Sequence, residues 1–260
     1  MNPTLISFSD KLDGIISKLD EENDILKALN IVAKAEPIDT SDDDVILGYL
    51  LDVVVQLKNG NIRVVYFSDN TIKTLKDIAH RTDKLEYSAN LCAYKDRPYS
   101  EIFINYIRKG EKLHTIETTD KTINRCDKGK EIIAGFHTHP DEYEILPSPI
   151  DYLVLNESDE NFECIGSKHS KDKLTCFVPD IKNDEELDLR DAYLEKAIDL
   201  YYTFSDGKQD NVYHNLLINE YKKLYNIINE EFYTGYNPEI YRHVIIIKFD
   251  DGSTNIIFTV

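Results

Sequence analysis

The sequence predicts an α/β fold in which a sheet-rich middle is flanked by helices. Three observations predict it. Short β-branched and aromatic runs bounded by turn residues fill the middle, apolar residues of helical period lie before and after it, and two apolar runs around Asp250-Asp251-Gly252 close the chain as a hairpin. At 260 residues the chain suits one large domain, or one domain with additions, against about 150 residues per domain. An apolar content of 42%, with 17 Tyr and 10 Phe, is enough to build a core.

Taken in order, Leu12, Ile15, Ile16 and Leu19 share a helical face behind Ser9 or Asp10 as a cap, and Ile25, Leu26, Leu29 and Val32 extend the pattern. Pro37, Ser41 and the run Asp42-Asp43-Asp44 read as a solvated connector. Residues 45–57 are apolar and β-branched, Asn59-Gly60 has turn chemistry and 62–67 returns, which predicts a hairpin. A short helix carries Ile72, Leu75, Ile78 and Ala79. Strands are expected at 87–94, 102–107, 131–139, 163–167 and 174–178. Beyond Pro179, one helix is marked by Leu187, Leu194, Ile198 and Tyr201, and another by Val212, Leu216, Tyr221, Leu224 and Ile228. This divides the chain into an N-terminal helical extension (1–44), a central domain (45–180) and C-terminal helices with a β-hairpin (181–260).

The formal charge is −18, from 30 basic and 48 acidic residues, with lysines scattered among carboxylates. Such a surface repels a phosphate backbone, so no nucleic-acid partner is expected. No apolar stretch is long enough for a membrane span, and residues 1–10 lack a basic leader followed by an apolar core. A cytoplasmic protein is the expectation. Cys92, Cys126, Cys164 and Cys176 show neither zinc-knuckle nor C-x-x-C spacing and read as reduced, small hydrophobes, in keeping with that compartment.

The informative stretch is Gly135-Phe136-His137-Thr138-His139-Pro140, then seven residues, then Ser148-Pro149-Ile150-Asp151. Residues two apart on a strand point to one side, so His137 and His139 present both imidazoles to one face. Pro140 cannot donate to a ladder and ends the strand. Ser148 has the marks of a helix N-cap, with Pro149 at the first helical position and Asp151 at the third. A seven-residue loop allows that helix start to fold back on the strand end. Two neutral imidazoles and a carboxylate then converge, and such a set leaves the fourth position of a tetrahedral Zn²⁺ open for water. Each half has a plainer reading, since a lone H-x-H is weak and Ser-Pro-x-Asp is often only a cap. The combination is sharper than either half.

At every specified position this stretch is similar to the signature of the JAMM (MPN-plus) zinc metalloisopeptidases: His137, Thr138 (a usual alternative to Ser), His139, Pro140, seven residues, Ser148, two residues, Asp151. The order of elements across 45–180 resembles the family's JAMM/MPN-like (cytidine-deaminase-like) mixed sheet flanked by helices, whereas 1–44 and 181–260 lie outside it. The resemblance implies zinc held by His137, His139 and Asp151, with Ser148 donating to the oxyanion. It also implies an upstream glutamate as general base. Glu86 fits, because Glu86-Tyr87-Ser88-Ala89-Asn90-Leu91-Cys92-Ala93 follows the family frame with alanine at both glycine positions; Glu101, heading the 102–107 strand, is the rival.

The implied activity is hydrolysis of an amide, typically an isopeptide to ubiquitin, a ubiquitin-like modifier or another small modifier protein. The C-terminal extension is a candidate partner-binding addition or simply completes the core. Two other readings remain open: a different metal-dependent hydrolase, although no further His cluster with metal spacing follows His139, and a catalytically weak or inactive scaffold of the same fold.

Overall fold

A computed structural model describes residues 23–35, 41–82, 85–110, 126–139, 147–158, 160–167, 174–181, 183–205, 211–236, 244–250 and 253–259. The helical face at 12–19 and its cap lie outside the described residues. Its continuation is present as α1 (Asp24–Ala35), which buries Ala28, Leu29 and Val32. Asn23 starts it, its side-chain oxygen accepting from the Ile25 N–H at 3.1 Å.

The expected hairpin at 45–67 is not formed, because its first arm is a helix, α2 (Asp43–Asn59). Ile46, Leu50, Val53 and Leu57 recur at helical spacing, and all four are buried. This stripe outweighs the β-preference of Val53-Val54-Val55. The aspartate run is the helix start rather than a connector. Asp42 caps it by accepting from the Asp44 N–H, and Asp43 and Asp44 lie in the first turn, where the helix dipole favours negative charge. Gly60, at φ 77°, is the left-handed stop of the helix, its N–H directed at the Gln56 and Leu57 carbonyls. The Asn-Gly pair therefore ends a helix instead of turning a hairpin.

The strand β1 (Ile62–Tyr66) and helix α3 (Asp69–His80) follow, then β2 (Tyr87–Tyr94), β3 (Tyr99–Glu101), β4 (Phe103–Lys109) and β5 (Lys130–His139). Helix α4 (Pro149–Glu157), β6 (Phe162–Ser167), β7 (Leu174–Pro179), α5 (Asp184–Ser205), α6 (Asn211–Glu231), β8 (Tyr233–Tyr236), β9 (Val244–Asp250) and β10 (Ser253–Thr259) complete the order. Two mixed sheets result, ordered β10-β9-β1-β3 and β4-β2-β5-β6-β7-β8. The β1–β3 and β5–β6 pairs are parallel and the rest antiparallel. The strand expected at 102–107 is present as β4 from Phe103 onward, with buried Ile102 handing the chain from β3 in the first sheet to β4 in the second. The closing hairpin pairs with β1, so residues beyond 180 complete the first sheet.

Strand alternation sorts the core into layers. Ile62, Val64 and Ile246 face α1 and α2. Val65, Phe67, Ile245 and Ile247 face the other way, meeting α3 and the second sheet's Leu91, Phe136 and Phe162. On the far face of the second sheet, Ile165 and Phe177 pack with Tyr152 of α4 and with Leu194, Leu224 and Ile228 of α5 and α6. That far face carries the polar cluster described below.

The cysteines are not free. Disulfides join Cys92 to Cys126 and Cys164 to Cys176, with Cα–Cα distances of 5.9 and 3.9 Å. This corrects the reading of reduced thiols, and the compartment argument built on it falls away. Cys164 and Cys176 are direct cross-strand partners in the β6–β7 register, a juxtaposition that their spacing in sequence conceals. Among the described residues no helix is long and apolar enough to cross a membrane.

Candidate metal centre

Three side chains meet at the end of β5. His137 and His139 lie on its α4-facing side, while Thr138 between them points the other way and is fully buried. Thr138 Oγ1 accepts from the Tyr87 N–H at 2.9 Å and from the Thr82 hydroxyl at 2.6 Å, tying the start of β2 to the strand between the two histidines. The third side chain comes from α4. Ser148 is its N-cap, with Oγ accepting from the Asp151 N–H at 3.3 Å while Asp151 Oδ2 accepts from the Ser148 N–H at 2.6 Å. This reciprocal box fixes Asp151 in the first turn, with its carboxylate toward β5.

His137 Nε2 and His139 Nε2 lie 3.0 Å apart, Asp151 Oδ1 is 3.5 Å from the first, and Asp151 Oδ2 is 3.4 Å from the second. Ligands about 2.0–2.1 Å from a tetrahedral ion stand about 3.3–3.4 Å from one another, so each imidazole–carboxylate separation is near that length, one through each Asp151 oxygen, and the two Nε2 atoms stand somewhat closer. Among the described residues this is a group that could hold a metal ion, and both ring nitrogens that face it are of the type zinc takes. Burial alone pushes the His137 pKa down, but the Asp151 and Glu163 carboxylates beside it hold it well above the ordinary value. Burial likewise pushes Asp151 up, and the two histidines hold it well below the ordinary carboxylate range. Each shift has the same cause, the close approach of imidazole and carboxylate, which favours the charged form of both.

No protein-family model matches the chain, and no curated protein matches it either. The sequence pattern and this geometry therefore carry the functional reading between them.

The upstream glutamates part company. Glu86 immediately precedes β2, and its carbonyl accepts from the Gly110 N–H at 2.8 Å. The β2–β5 register pairs Ser88 with His137 and Ala89 with Phe136. Continued by two residues, that register sets position 86 across from position 139, on the histidine side of the sheet. Glu101 belongs to β3 of the first sheet, where its carboxylate accepts from Ser68 and Thr71 at the start of α3. It is engaged in holding that helix end.

Sequence reasoning missed the surroundings of the cluster. Glu163 on β6 lies 2.7 Å from His137 Nδ1, and Glu160 is close by, its carboxyl pushed well up by burial and by the Glu163 charge. From α6, the Tyr225 hydroxyl donates to the Pro147 carbonyl at 2.7 Å, just ahead of the Ser148 cap. Tyr221 stacks on Tyr225, and its hydroxyl is pushed up to about 12 by burial, then by Tyr201 and Asp151. Tyr152 of α4 stacks on Tyr233 at 3.8 Å and hydrogen-bonds Asn229. The helices beyond residue 180 thus hold α4 in place. One signal for Glu163 was present, since a glycine inside a strand, Gly135, marks a close approach.

Proposed function

We propose that the protein is a zinc metallopeptidase of the JAMM (MPN-plus) type, hydrolysing an amide bond to a ubiquitin-like or other small modifier protein. The supporting observation is the meeting of His137, His139 and Asp151, with the nearest ligand atoms of each pair 3.0 to 3.5 Å apart, from residues already in the family's sequence pattern. Two imidazoles and one carboxylate form a donor set that favours zinc and leaves a coordination position for solvent. Held there, zinc would supply a Lewis acid and lower the pKa of bound water to about 7.

The chain's own groups then divide the work. Glu86, across from His139 in the register, takes a proton from the attacking water and delivers it to the leaving amine. Ser148 Oγ already accepts from Asp151, so its own proton is available to donate to the oxyanion that develops on the scissile carbonyl. His137, His139 and Asp151 hold the ion and are not proton carriers during turnover.

The test is a matched pair, assayed for bound zinc and for modifier conjugates that persist in a host lysate. Glu86→Gln is expected to keep about one zinc per chain while turnover falls roughly 10²–10⁴-fold. His137→Ala is expected to lose both. Zinc binding by the wild type without cleavage of any conjugate would favour an assembly scaffold instead. Full activity in Glu86→Gln with loss in Glu101→Gln would move the base to Glu101.

A further inference from the structure

The parallel β5–β6 register pairs Gly135 with Glu163 and His137 with Ile165, so Glu163 enters the histidine face one pair below His137. Its Oε1 reaches His137 Nδ1 at 2.7 Å. That nitrogen is on the side of the ring away from the cluster, because Nε2 is the atom facing His139 and Asp151. Gly135 makes the reach possible. A Cβ at that position would fall inside contact distance of Glu163 Oε2 and 2.7 Å from Glu160 Oε2.

Stability alone does not explain this arrangement. Glycine within a strand interior is destabilising relative to alanine. Two carboxyl groups crowded over it, with the Glu163 side chain only 12% exposed, add a desolvation cost that an apolar pair would avoid. What the arrangement does accomplish is local: a carboxylate accepting at Nδ1 fixes the imidazole tautomer, leaving the Nε2 lone pair aimed at the cluster.

We infer that Glu163 is a positioning residue of the metal centre, accepting the His137 Nδ1 proton so that Nε2 is held ready for the ion, and that Gly135 is the opening through which its carboxylate reaches the ring. This rests on the zinc reading above. Strand geometry sets the direction of the His137 ring, and Glu163 supplies the acceptor that selects its tautomer.

Zinc dissociation constants from chelator competition test the inference independently of turnover, with circular dichroism of the metal-free proteins as the folding control. Glu163→Ala is expected to weaken zinc binding about 10–100-fold, and Glu163→Gln, which keeps an acceptor oxygen without the charge, to weaken it less. Gly135→Ala leaves every ligand in place but displaces a flexible carboxylate end, so it is expected to weaken zinc comparably. In the Glu163→Ala background the same change should have little further effect. In the zinc-loaded wild type, imidazole ¹⁵N NMR should show a hydrogen-bonded proton on His137 Nδ1 that Glu163→Ala loses.

Zinc affinities of Glu163→Ala and Gly135→Ala within twofold of the wild type would overturn the positioning role and leave the metal centre standing. A wild type that takes up no zinc would overturn both. Should Glu163→Ala fail to fold, Gly135→Ala and Glu163→Gln decide the matter.

Discussion

The two sides of β5 are built from alternate residues of one short segment and do opposite things. Ala134, Phe136 and Thr138 point toward the first sheet and α3, and all are fully buried in or beside the main core. Gly135, His137 and His139 point toward α4, where Asp151, Glu163 and Glu160 gather around them. Each side relies on the other. The apolar side fixes the strand by dispersion and burial, and so allows costly polar groups to be assembled on the opposite side without a change of register. Thr138 is the exception, a polar residue on the apolar side, and both of its hydrogen bonds go to the segment that leads into β2.

Substitutions that separate stability from zinc binding test this contrast. The largest effect on stability is expected from Phe136→Ala, which empties a core site and should cost about 3–5 kcal/mol in urea denaturation of the metal-free protein. Zinc affinity of its remaining folded fraction should stay near the wild-type value. Equal loss of zinc affinity in the folded fraction would mean that the sides are not separable.

Thr138→Val comes next. It keeps the shape but strands the Tyr87 N–H and the Thr82 hydroxyl, for an expected cost of about 1–3 kcal/mol. Because that contact anchors the chain just after Glu86, turnover should suffer more than zinc binding. Equal losses in both would show that Thr138 positions the histidines instead.

The smallest effect is a pH dependence, and its sign follows from the two shifted groups. His137 is held above its ordinary value of 6.5, so its contribution to metal-free stability is full below pH 6.5 and is lost as pH rises through the raised value. Asp151 is held below its ordinary 3.8, so its contribution is present above pH 3.8 and is lost as pH falls through the lowered value. The metal-free pair therefore stabilises most between these two pH values. Zinc needs His137 unprotonated, so the thermal stabilisation on adding zinc should grow as pH rises through the neutral range, by at most about 1.4 kcal/mol per pH unit for each proton displaced. A stabilisation that stays flat or shrinks with rising pH would mean that His137 does not exchange a proton for the ion.

What could be read directly from the chain was local. Two histidines on alternate strand positions and an aspartate at the third position of a proline-started helix each have a direction set by backbone geometry alone, and their meeting needed only a short loop. The amphipathic helices were equally plain in their spacing. The same spacing lies in 43–59 beside a β-branched run, and only the tertiary structure decided between them, because α1 and the first sheet cover the stripe of Ile46, Leu50, Val53 and Leu57. It also decided the cysteine pairs and the Glu163–His137 contact, between residues 34, 12 and 26 apart in sequence, and strand register is what brings Cys164 to Cys176 and Glu163 to the His137 face. Register is set by packing over whole sheets, and no short stretch of sequence contains that information.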